Sequence, residues 1–186
     1  MKRLCDLLFV FFALILLFLP LVIISVLVRL TSKGPSLYWS DRIGKNNVVF
    51  KMPKFRSMRL DTPAVATHLL ENPAAYFTPI GSFLRKSSLD ELPQLWSILK
   101  GDMSVVGPRP ALFNQHDLIA LRTLHGVHEL VPGLTGWAQI NGRDELPIPN
   151  KVELDAEYLR RQSFGFDMRI ILLTVIKVIK RDNVVH

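Results

Sequence analysis

The chain has 186 residues, of which 23 are Lys or Arg and 16 are Asp or Glu, so its formal net charge is +7, and 49% of its residues are hydrophobic. This length fits one domain with an anchor and excludes two full domains beside one. The positive charge indicates an anionic partner, which composition leaves open among lipid head groups, nucleotide phosphates and nucleic acid. Cys5 is the only cysteine, which excludes an internal disulfide and a thiolate metal site and fits a reducing compartment.

A long apolar segment dominates the N-terminal part of the chain. Residues 7–28 carry no charge, and roughly 22 residues form a helix about 33 Å long, enough to cross the hydrocarbon core of a bilayer. A single tilted span is one interpretation. A cleaved signal peptide is not favoured, because no small-residue cleavage site follows the segment and the segment is too long for such a peptide.

The flanks of this segment favour a second interpretation, a re-entrant helix that enters one leaflet and returns. Lys2 and Arg3 precede it, and Arg29 and Lys33 follow it, so the basic residues are best accommodated with both ends on the cytoplasmic side. Pro20 lies just past the middle, where a lost backbone hydrogen bond and a ring clash favour a bend. The residues alone leave both interpretations open, and membrane lipid is a partner in either.

The rest of the chain predicts one mainly helical body with a small β-hairpin. Strand-like runs at residues 37–39 and 48–50 flank a Gly-Lys-Asn-Asn turn, which indicates a two-stranded element. Residues 62–76 contain two prolines and predict a short helix inside a loop that could serve as a lid. Apolar residues at helical spacing predict four more helices, at residues 89–99, 116–124, 154–162 and 168–180.

The last of these helices has two possible uses. Basic residues such as Arg169 and Lys177 at the edges of its apolar pattern are typical of an interfacial helix on lipid head groups, and also of a core helix with cations near its C-terminus. Together the patterns predict an α+β fold that is mainly helical, with a β-hairpin, an N-terminal membrane helix and interfacial amphipathic helices. We expect an anchor at residues 1–33 and a cytoplasmic body at residues 34–186.

Two adjacent acids, Asp90 and Glu91, stand where a helix is expected to begin. With Asp90 as the N-cap, Pro93 falls at an early position that needs no intrahelical N–H, and both acids lie at the positive end of the helix dipole. This arrangement predicts an ionised, exposed Asp90 beside Arg85 and Lys86, ready to act as a nucleophile or metal ligand. Taken alone, acids in a first helical turn more often serve only as caps.

Two loops rich in glycine and proline add candidate ligands for phosphate. In the first, Arg109 stands between two prolines and loses little freedom when it grips a phosphate, although a solvated arginine is the ordinary alternative. The second loop, residues 132–143, holds three glycines, Trp137 and Arg143. Glycines allow a backbone to approach a ligand closely, and Trp137 either stacks on a base or packs in the core.

These motifs together resemble a known family. The run SSLDELPQLWSILKGDMSVVGPRP, with KFRSM before it and PGLTGWAQINGR after it, is similar to the bacterial sugar transferase family, small monotopic phosphoglycosyl transferases that act on polyprenyl phosphate. The resemblance covers nearly the whole chain and implies a re-entrant helix broken at Pro20. Relatives commonly have Ser-Pro at the break, whereas this chain has Leu19-Pro20 and so lacks a serine-to-backbone hydrogen bond.

The resemblance implies a two-step reaction on the cytoplasmic face of the bacterial inner membrane, which would initiate surface glycoconjugate synthesis. Asp90 would attack the β-phosphate of a UDP-sugar and release UMP, Asp90 and Glu91 would hold Mg²⁺, and undecaprenyl phosphate would then accept the sugar phosphate. The substrate-binding residues expected are Lys54, Arg85, Arg109, Trp137 and Arg143. No nucleic acid is expected as a partner, while the sugar and the oligomeric state, a homodimer being one option, stay open.

Two alternatives fit the same residues. The lipid phosphate could attack the UDP-sugar directly, with Asp90 only a metal ligand, in which case the kinetics would not be ping-pong. The chain could also be a non-enzymatic, membrane-anchored module that binds anionic lipid or nucleic acid. The arginines argue against the module, because they are dispersed among glycine and proline loops and form no basic stripe.

Overall fold

The computed structural model describes residues 2–63, 72–142 and 146–180. Its regular elements, in chain order, are α1 Lys2–Thr31, β1 Leu37–Ile43, β2 Val49–Phe55, α2 Gly81–Lys86, α3 Leu95–Lys100, β3 Ser104–Val106, α4 His116–Leu124, β4 Gly133–Thr135, α5 Trp137–Ile140, α6 Ile148–Arg161 and α7 Phe164–Lys180. Short 3-10 helices lie at Lys45–Asn47, Pro73–Tyr76, Leu89–Gln94 and Val127–Glu129. The architecture is mainly helical with a small antiparallel sheet, as predicted.

The apolar N-terminal segment forms one helix, α1, which continues through Pro20. The predicted break at Pro20 is not confirmed, and an apolar helix can accommodate a proline when neighbouring groups satisfy the freed backbone. By length and composition, α1 could cross a membrane. Hydrogen bonds join both of its ends to the rest of the protein, from Lys2 Nζ to Asp167 Oδ2 at 2.6 Å and from Ser25 Oγ to Ser36 Oγ at 3.0 Å.

One face of α1 packs against the body, and the other is apolar and exposed. Val10 and Val28 are fully buried, in two separate hydrophobic clusters. Asp6 is also buried, and its carboxylate accepts hydrogen bonds from Ser104 Oγ at 2.9 Å and from the Val105 N–H at 3.0 Å. These bonds satisfy an acid that would be costly in an apolar setting. The exposed face includes Phe12, Ile15, Leu16, Phe18, Leu19, Val26 and Leu30.

The predicted hairpin is confirmed and is longer than the sequence indicated. β1 and β2 pair in antiparallel register from Leu37 opposite Phe55 to Ile43 opposite Val49. The turn contains two asparagines with positive φ, which asparagine tolerates better than most residues. A second sheet joins β3 and β4 in parallel. The sequence does not predict this second sheet, since three-residue strands are too short for an alternating pattern.

The observed helices differ from the predicted ones mainly in where they begin and end. α4 lies where predicted, whereas the helix predicted at residues 89–99 is a 3-10 segment, Leu89–Gln94, followed by α3. Gly101 ends α3 as expected, with φ 97. α6 begins earlier than predicted because Pro149 stands in its first turn, a position that suits proline. The predicted lid at residues 62–76 falls largely on residues 64–71, which lie outside the described residues.

α7 is buried on one side and exposed on the other. Phe166 and Ile170 are buried in the main hydrophobic cluster. Other apolar side chains of the same helix are exposed, namely Phe164, Met168, Leu172, Val175 and Val178. The interfacial position of this helix stays a prediction.

Candidate active site

The acidic pair lies in the 3-10 segment Leu89–Gln94, which packs against β2. Asp90 is only 5% exposed, so the prediction of an exposed N-cap is wrong. Ser88 precedes the segment with a left-handed backbone at φ 56, and no side-chain hydrogen bond caps it. The first turn of an isolated helix is exposed, whereas here the segment packs on β2 and Asp90 is buried.

Glu91 draws together two of the predicted phosphate ligands. Its Oε1 accepts hydrogen bonds from Lys54 Nζ at 2.7 Å and from Arg109 Nη2 at 2.7 Å. Lys54 comes from β2, and Arg109 comes from the loop after β3. Residues far apart in sequence therefore meet on one carboxylate, while their binding of phosphate stays a prediction.

The two neighbouring acids have opposite pKa shifts. Burial raises the pKa of Asp90 to about 6, Glu91 adds to the rise, and the positive charge of Lys54 opposes it. Burial also favours the neutral form of Glu91, but the charges and hydrogen bonds of Arg109 and Lys54 outweigh it and hold the pKa of Glu91 well below its usual value. Glu91 is thus a fixed anion that anchors cations, whereas Asp90 is a buried carboxylate that is costly to ionise.

Arg85 completes the cationic surroundings of the acids. It lies near the C-terminus of α2, and its Nε donates to Ser57 Oγ at 3.1 Å. Its guanidinium stands 5.7 Å from the centre of the Phe77 ring. The charges of Asp90 and Glu91 both act on its pKa, against the lowering effect of burial. Arg85, Lys54 and Arg109 therefore all belong to one electrostatic cluster with the acidic pair.

The glycines of the second loop support the loop that carries Arg109. Gly107 donates its N–H to Thr135 O at 2.9 Å, and Gly133 donates to Pro108 O at 2.9 Å. A Cβ on Gly133 would come within 2.1 Å of Gly107 N, and one on Gly136 within 2.1 Å of Gly107 O. At these positions the glycines permit close contact between the two loops, and their close approach to a ligand stays a prediction.

A buried ion pair beneath Arg109 was missed from the sequence. Arg122 Nε and Nη2 donate to Asp155 Oδ2 at 3.0 and 2.6 Å, and Arg122 Nη1 donates to the carbonyl of Arg109 at 2.8 Å. Arg122 is 8% exposed and Asp155 1% exposed. Helical spacing could have indicated this pair. Arg122 lies on the same buried face of α4 as Leu118, and Asp155 lies on the same buried face of α6 as Val152.

Trp137 and Arg143 were also predicted to bind substrate, and only Trp137 lies within the described residues. Trp137 packs against Phe166, with ring centres 5.1 Å apart, and donates its indole N–H to Glu157 Oε2 at 2.8 Å. These contacts fit the core-packing alternative, and stacking of Trp137 on a base stays a prediction. Arg143 lies outside the described residues.

The two carboxylates predicted to hold Mg²⁺ are Asp90 and Glu91, which are adjacent in the 3-10 segment. Among the described residues no group of three or more His, Cys, Asp or Glu side chains is placed to hold a metal. Magnesium commonly binds one or two carboxylates together with substrate phosphates and water. The pair therefore has the chemistry for a cation that is shared with phosphate oxygens, and in this structure Lys54 and Arg109 already contact Glu91.

Known proteins resemble this chain over most of its length. Two proteins named UDP-glucose:undecaprenyl-phosphate glucose-1-phosphate transferase are similar: that of Xanthomonas campestris pv. campestris is 41% identical over 86% of this chain, and that of Escherichia coli (strain K12) is 39% identical over 95%. This chain spans only 35% and 40% of their lengths. A Bacillus subtilis (strain 168) protein named uncharacterized sugar transferase EpsL is 38% identical over 99% of this chain and 90% of its own length.

The model of the family described as bacterial sugar transferase matches residues 1–181. This match includes α1, the acidic pair and both loops. The chain belongs to the bacterial sugar transferase family.

Proposed function

We propose that this protein transfers a sugar 1-phosphate from a UDP-sugar to undecaprenyl phosphate through a covalent intermediate on Asp90. The observation that carries the proposal is the burial of Asp90 among Lys54, Arg85 and Arg109, next to a Glu91 that anchors two of these cations. The names of the relatives support the substrate classes. Similar relatives named for galactose, such as the undecaprenyl-phosphate galactose phosphotransferase of Salmonella typhimurium, leave the sugar open.

In the first step, an oxygen of ionised Asp90 attacks the β-phosphorus of the UDP-sugar. The bond from that phosphorus to the oxygen bridging the two phosphates breaks, and UMP leaves with the bridging oxygen. Lys54 and Arg109 turn from Glu91 to the phosphate oxygens, and Arg85 offsets the remaining charge. An anionic nucleophile can approach phosphorus only when the charge of the diphosphate is compensated, so this step depends on electrostatic positioning.

In the second step, a phosphate oxygen of undecaprenyl phosphate attacks the same phosphorus. The bond to Asp90 breaks, the carboxylate is regenerated, and the product is undecaprenyl diphosphate sugar. Asp90 and Glu91 would hold Mg²⁺, which when bound supplies charge neutralisation at the diphosphate. The exposed apolar face of α1 would keep the body at the membrane. The protein and the lipid acceptor would then meet by diffusion along the membrane surface.

The test is a donor-only reaction. Purified protein is incubated with a panel of UDP-sugars and Mg²⁺ but without lipid, and we expect roughly one equivalent of UMP and a matching phosphosugar adduct on the intact protein, as covalent catalysis requires. Asp90→Asn should give neither. The control is Asp41→Asn, which removes an exposed carboxylate paired with Lys51 on the hairpin and should leave both signals unchanged.

Other outcomes would identify the alternatives. Turnover only when both substrates are present, with no adduct, would indicate direct attack by the lipid phosphate. Absence of UMP under every condition, together with binding of anionic lipid or nucleic acid, would indicate a non-enzymatic module. Persistent UMP release by Asp90→Asn in the absence of lipid would remove Asp90 from the role of nucleophile.

A further inference from the structure

A shallow groove lies where the C-terminal end of α1 meets the start of the hairpin. Its lining combines two hydroxyls, one cation and two apolar side chains, namely Ser25, Val26, Arg29, Leu30 and Ser36. The two hydroxyls are 3.0 Å apart, and Arg29 Nη1 donates to Gly34 O at 2.6 Å. Such a lining has a polar end for an anion and an apolar side for a hydrocarbon chain.

The electrostatics of this end of α1 favour an anion. Burial lowers the pKa of Arg56, and the nearby charge of Arg29 lowers it further, so the two guanidiniums repel each other. Within residues 2–63, 72–142 and 146–180, no carboxylate forms an ion pair with either of them. The Arg56 guanidinium donates hydrogen bonds to Ser32 Oγ at 2.7 Å and to the carbonyls of Ser32 and Lys33. Arg29, in contrast, has an exposed side chain that a ligand can reach. A bound phosphate would relieve the repulsion through a charge-assisted contact with Arg29.

The groove lies close to the reaction centre along the hairpin. Arg56 donates its backbone N–H to Ser36 O at 2.9 Å, which continues the pairing of β1 with β2 by one step, and Tyr38 lies opposite Lys54. Ser36 and Tyr38 are two residues apart, a step of about 7 Å along a strand, and two-residue steps keep side chains on one face. Ser36 in the groove therefore lies on the same face of the hairpin as Tyr38, whose cross-strand partner is Lys54.

The apolar side of the groove continues along the membrane helix. Val22, Val26 and Leu30 are four residues apart on α1 and so share one face of the helix. They are 45%, 50% and 77% exposed. A long hydrocarbon chain attached to a phosphate in the groove can follow this stripe toward the middle of α1, where the exposed surface is entirely apolar.

We propose that this groove binds the phosphate of the lipid acceptor, a phosphate monoester of a long isoprenoid alcohol, with Arg29 as the phosphate ligand and the face of Val22, Val26 and Leu30 as the track for the chain. The inference rests on the proposed function for the identity of the acceptor. It adds a location for the second substrate that is distinct from the residues assigned to the donor.

The first test separates the two substrates kinetically. In Arg29→Ala we expect the KM for undecaprenyl phosphate to rise by roughly tenfold or more, as loss of a charge-assisted hydrogen bond would cause, with donor-only UMP release unchanged. Arg29→Lys should recover part of the loss. The matched control is Lys33→Ala, which removes an equal charge from the exposed loop just after α1 without touching the groove.

The second test does not depend on turnover. A photoreactive polyprenyl phosphate in uncharged phosphatidylcholine nanodiscs should label the segment around Val26 and Leu30 in the unsubstituted protein, undecaprenyl phosphate should compete, and Arg29→Ala should lose the label. If this labelling is observed but the protein releases no UMP from donor alone, the result supports the acceptor groove and contradicts the covalent mechanism.

Three results would overturn the acceptor groove. The first is an unchanged KM for undecaprenyl phosphate and unchanged photolabelling in Arg29→Ala. The second is that Lys33→Ala raises this KM as much as Arg29→Ala does. The third is that Arg29→Ala changes the KM or the labelling only in membranes that contain phosphatidylglycerol. The last result would assign Arg29 to the head groups of bulk anionic lipid.

Discussion

Asp90 and Glu91 are neighbours in the chain, yet the protein makes ionisation of one costly and ionisation of the other favourable. Burial raises the pKa of Asp90 to about 6, despite the nearby charge of Lys54. Hydrogen bonds from Lys54 and Arg109 reach Glu91, whose pKa is held well below its usual value. Substitution of each acid by its amide should therefore change stability in opposite directions.

For Asp90→Asn we expect a gain in stability at pH 8. The pKa of Asp90 is about 6 in the folded protein and near its ordinary value of 3.8 when unfolded. The folded state therefore binds more protons between these values, and its stability falls as pH rises from about 4 to 6. A pKa difference of about two between the folded and unfolded states corresponds to a loss of roughly 3 kcal/mol at most in the free energy of unfolding. The amide avoids this loss because it does not ionise.

The measurement is thermal or chemical unfolding of detergent-solubilised protein in EDTA, since a bound cation would favour the charged carboxylate. Asp90→Asn should raise the melting temperature at pH 8, and the difference should shrink toward pH 4. Equal stability of the two proteins at every pH would mean that ionised Asp90 carries no penalty.

For Glu91→Gln we expect the opposite sign. Its pKa is depressed in the folded state, so it contributes stability that is present above the unfolded pKa of about 4.3 and is lost as pH falls. Breaking a largely buried pair leaves Lys54 and Arg109 without their anion, which costs on the order of 3 kcal/mol. The melting temperature at pH 8 should fall, and the deficit should narrow in acid. A variant as stable as the parent at pH 8 would contradict the anchoring role.

The sequence was sufficient to predict the elements whose signal is local. The hairpin, the apolar helix and α4 follow from runs of strand formers, from hydropathy and from helical spacing. The cluster of Lys54, Arg109 and Glu91 was reached through a resemblance of combined motifs, because spacing alone does not bring residues from β2 and from the loop after β3 together.

What the sequence did not predict depends on tertiary packing. Asp90 looked exposed because a first helical turn usually is, and only contact with β2 buries it. The parallel pairing of β3 with β4 and the close approach of Gly133 to Gly107 depend on two distant loops meeting. The ion pair of Arg122 with Asp155 likewise joins two helices that the sequence treats separately.

Arg122 should act as a positioning residue for Arg109. It holds Asp155 with two nitrogens and the Arg109 carbonyl with a third, a geometry that lysine cannot reproduce. We expect Arg122→Lys to slow donor-only UMP release by about tenfold or more, since loss of positioning is costly in catalysis, with a lower melting temperature as well.

A double variant separates positioning from stability. Replacing both members of a buried ion pair by apolar residues often restores stability, so Arg122→Met combined with Asp155→Leu should recover much of the melting temperature. UMP release should stay slow, because the hydrogen bond to the Arg109 carbonyl is still absent. Full recovery of the rate together with the stability would show that Arg122 is only structural.

Both ends of α1 should face the same side of the membrane. At the N-terminal end, Lys2 pairs with Asp167 at 2.6 Å, and the Arg3 guanidinium donates to carbonyls at the end of α3. At the other end, Ser25 bonds to Ser36. One polar body cannot lie on both sides of a bilayer, so these contacts favour a re-entrant or in-plane helix over a span, whether or not α1 bends at Pro20 in lipid.

Thiol labelling in spheroplasts tests this topology. In a Cys5→Ser background, Leu4→Cys reports the N-terminal end and Lys45→Cys, in the hairpin turn, reports the body. An impermeant maleimide should leave both unlabelled in intact spheroplasts and label both after permeabilisation. If Leu4→Cys reacts in intact spheroplasts while Lys45→Cys does not, α1 spans the membrane, and its N-terminal contacts with Asp167 and α3 do not form there.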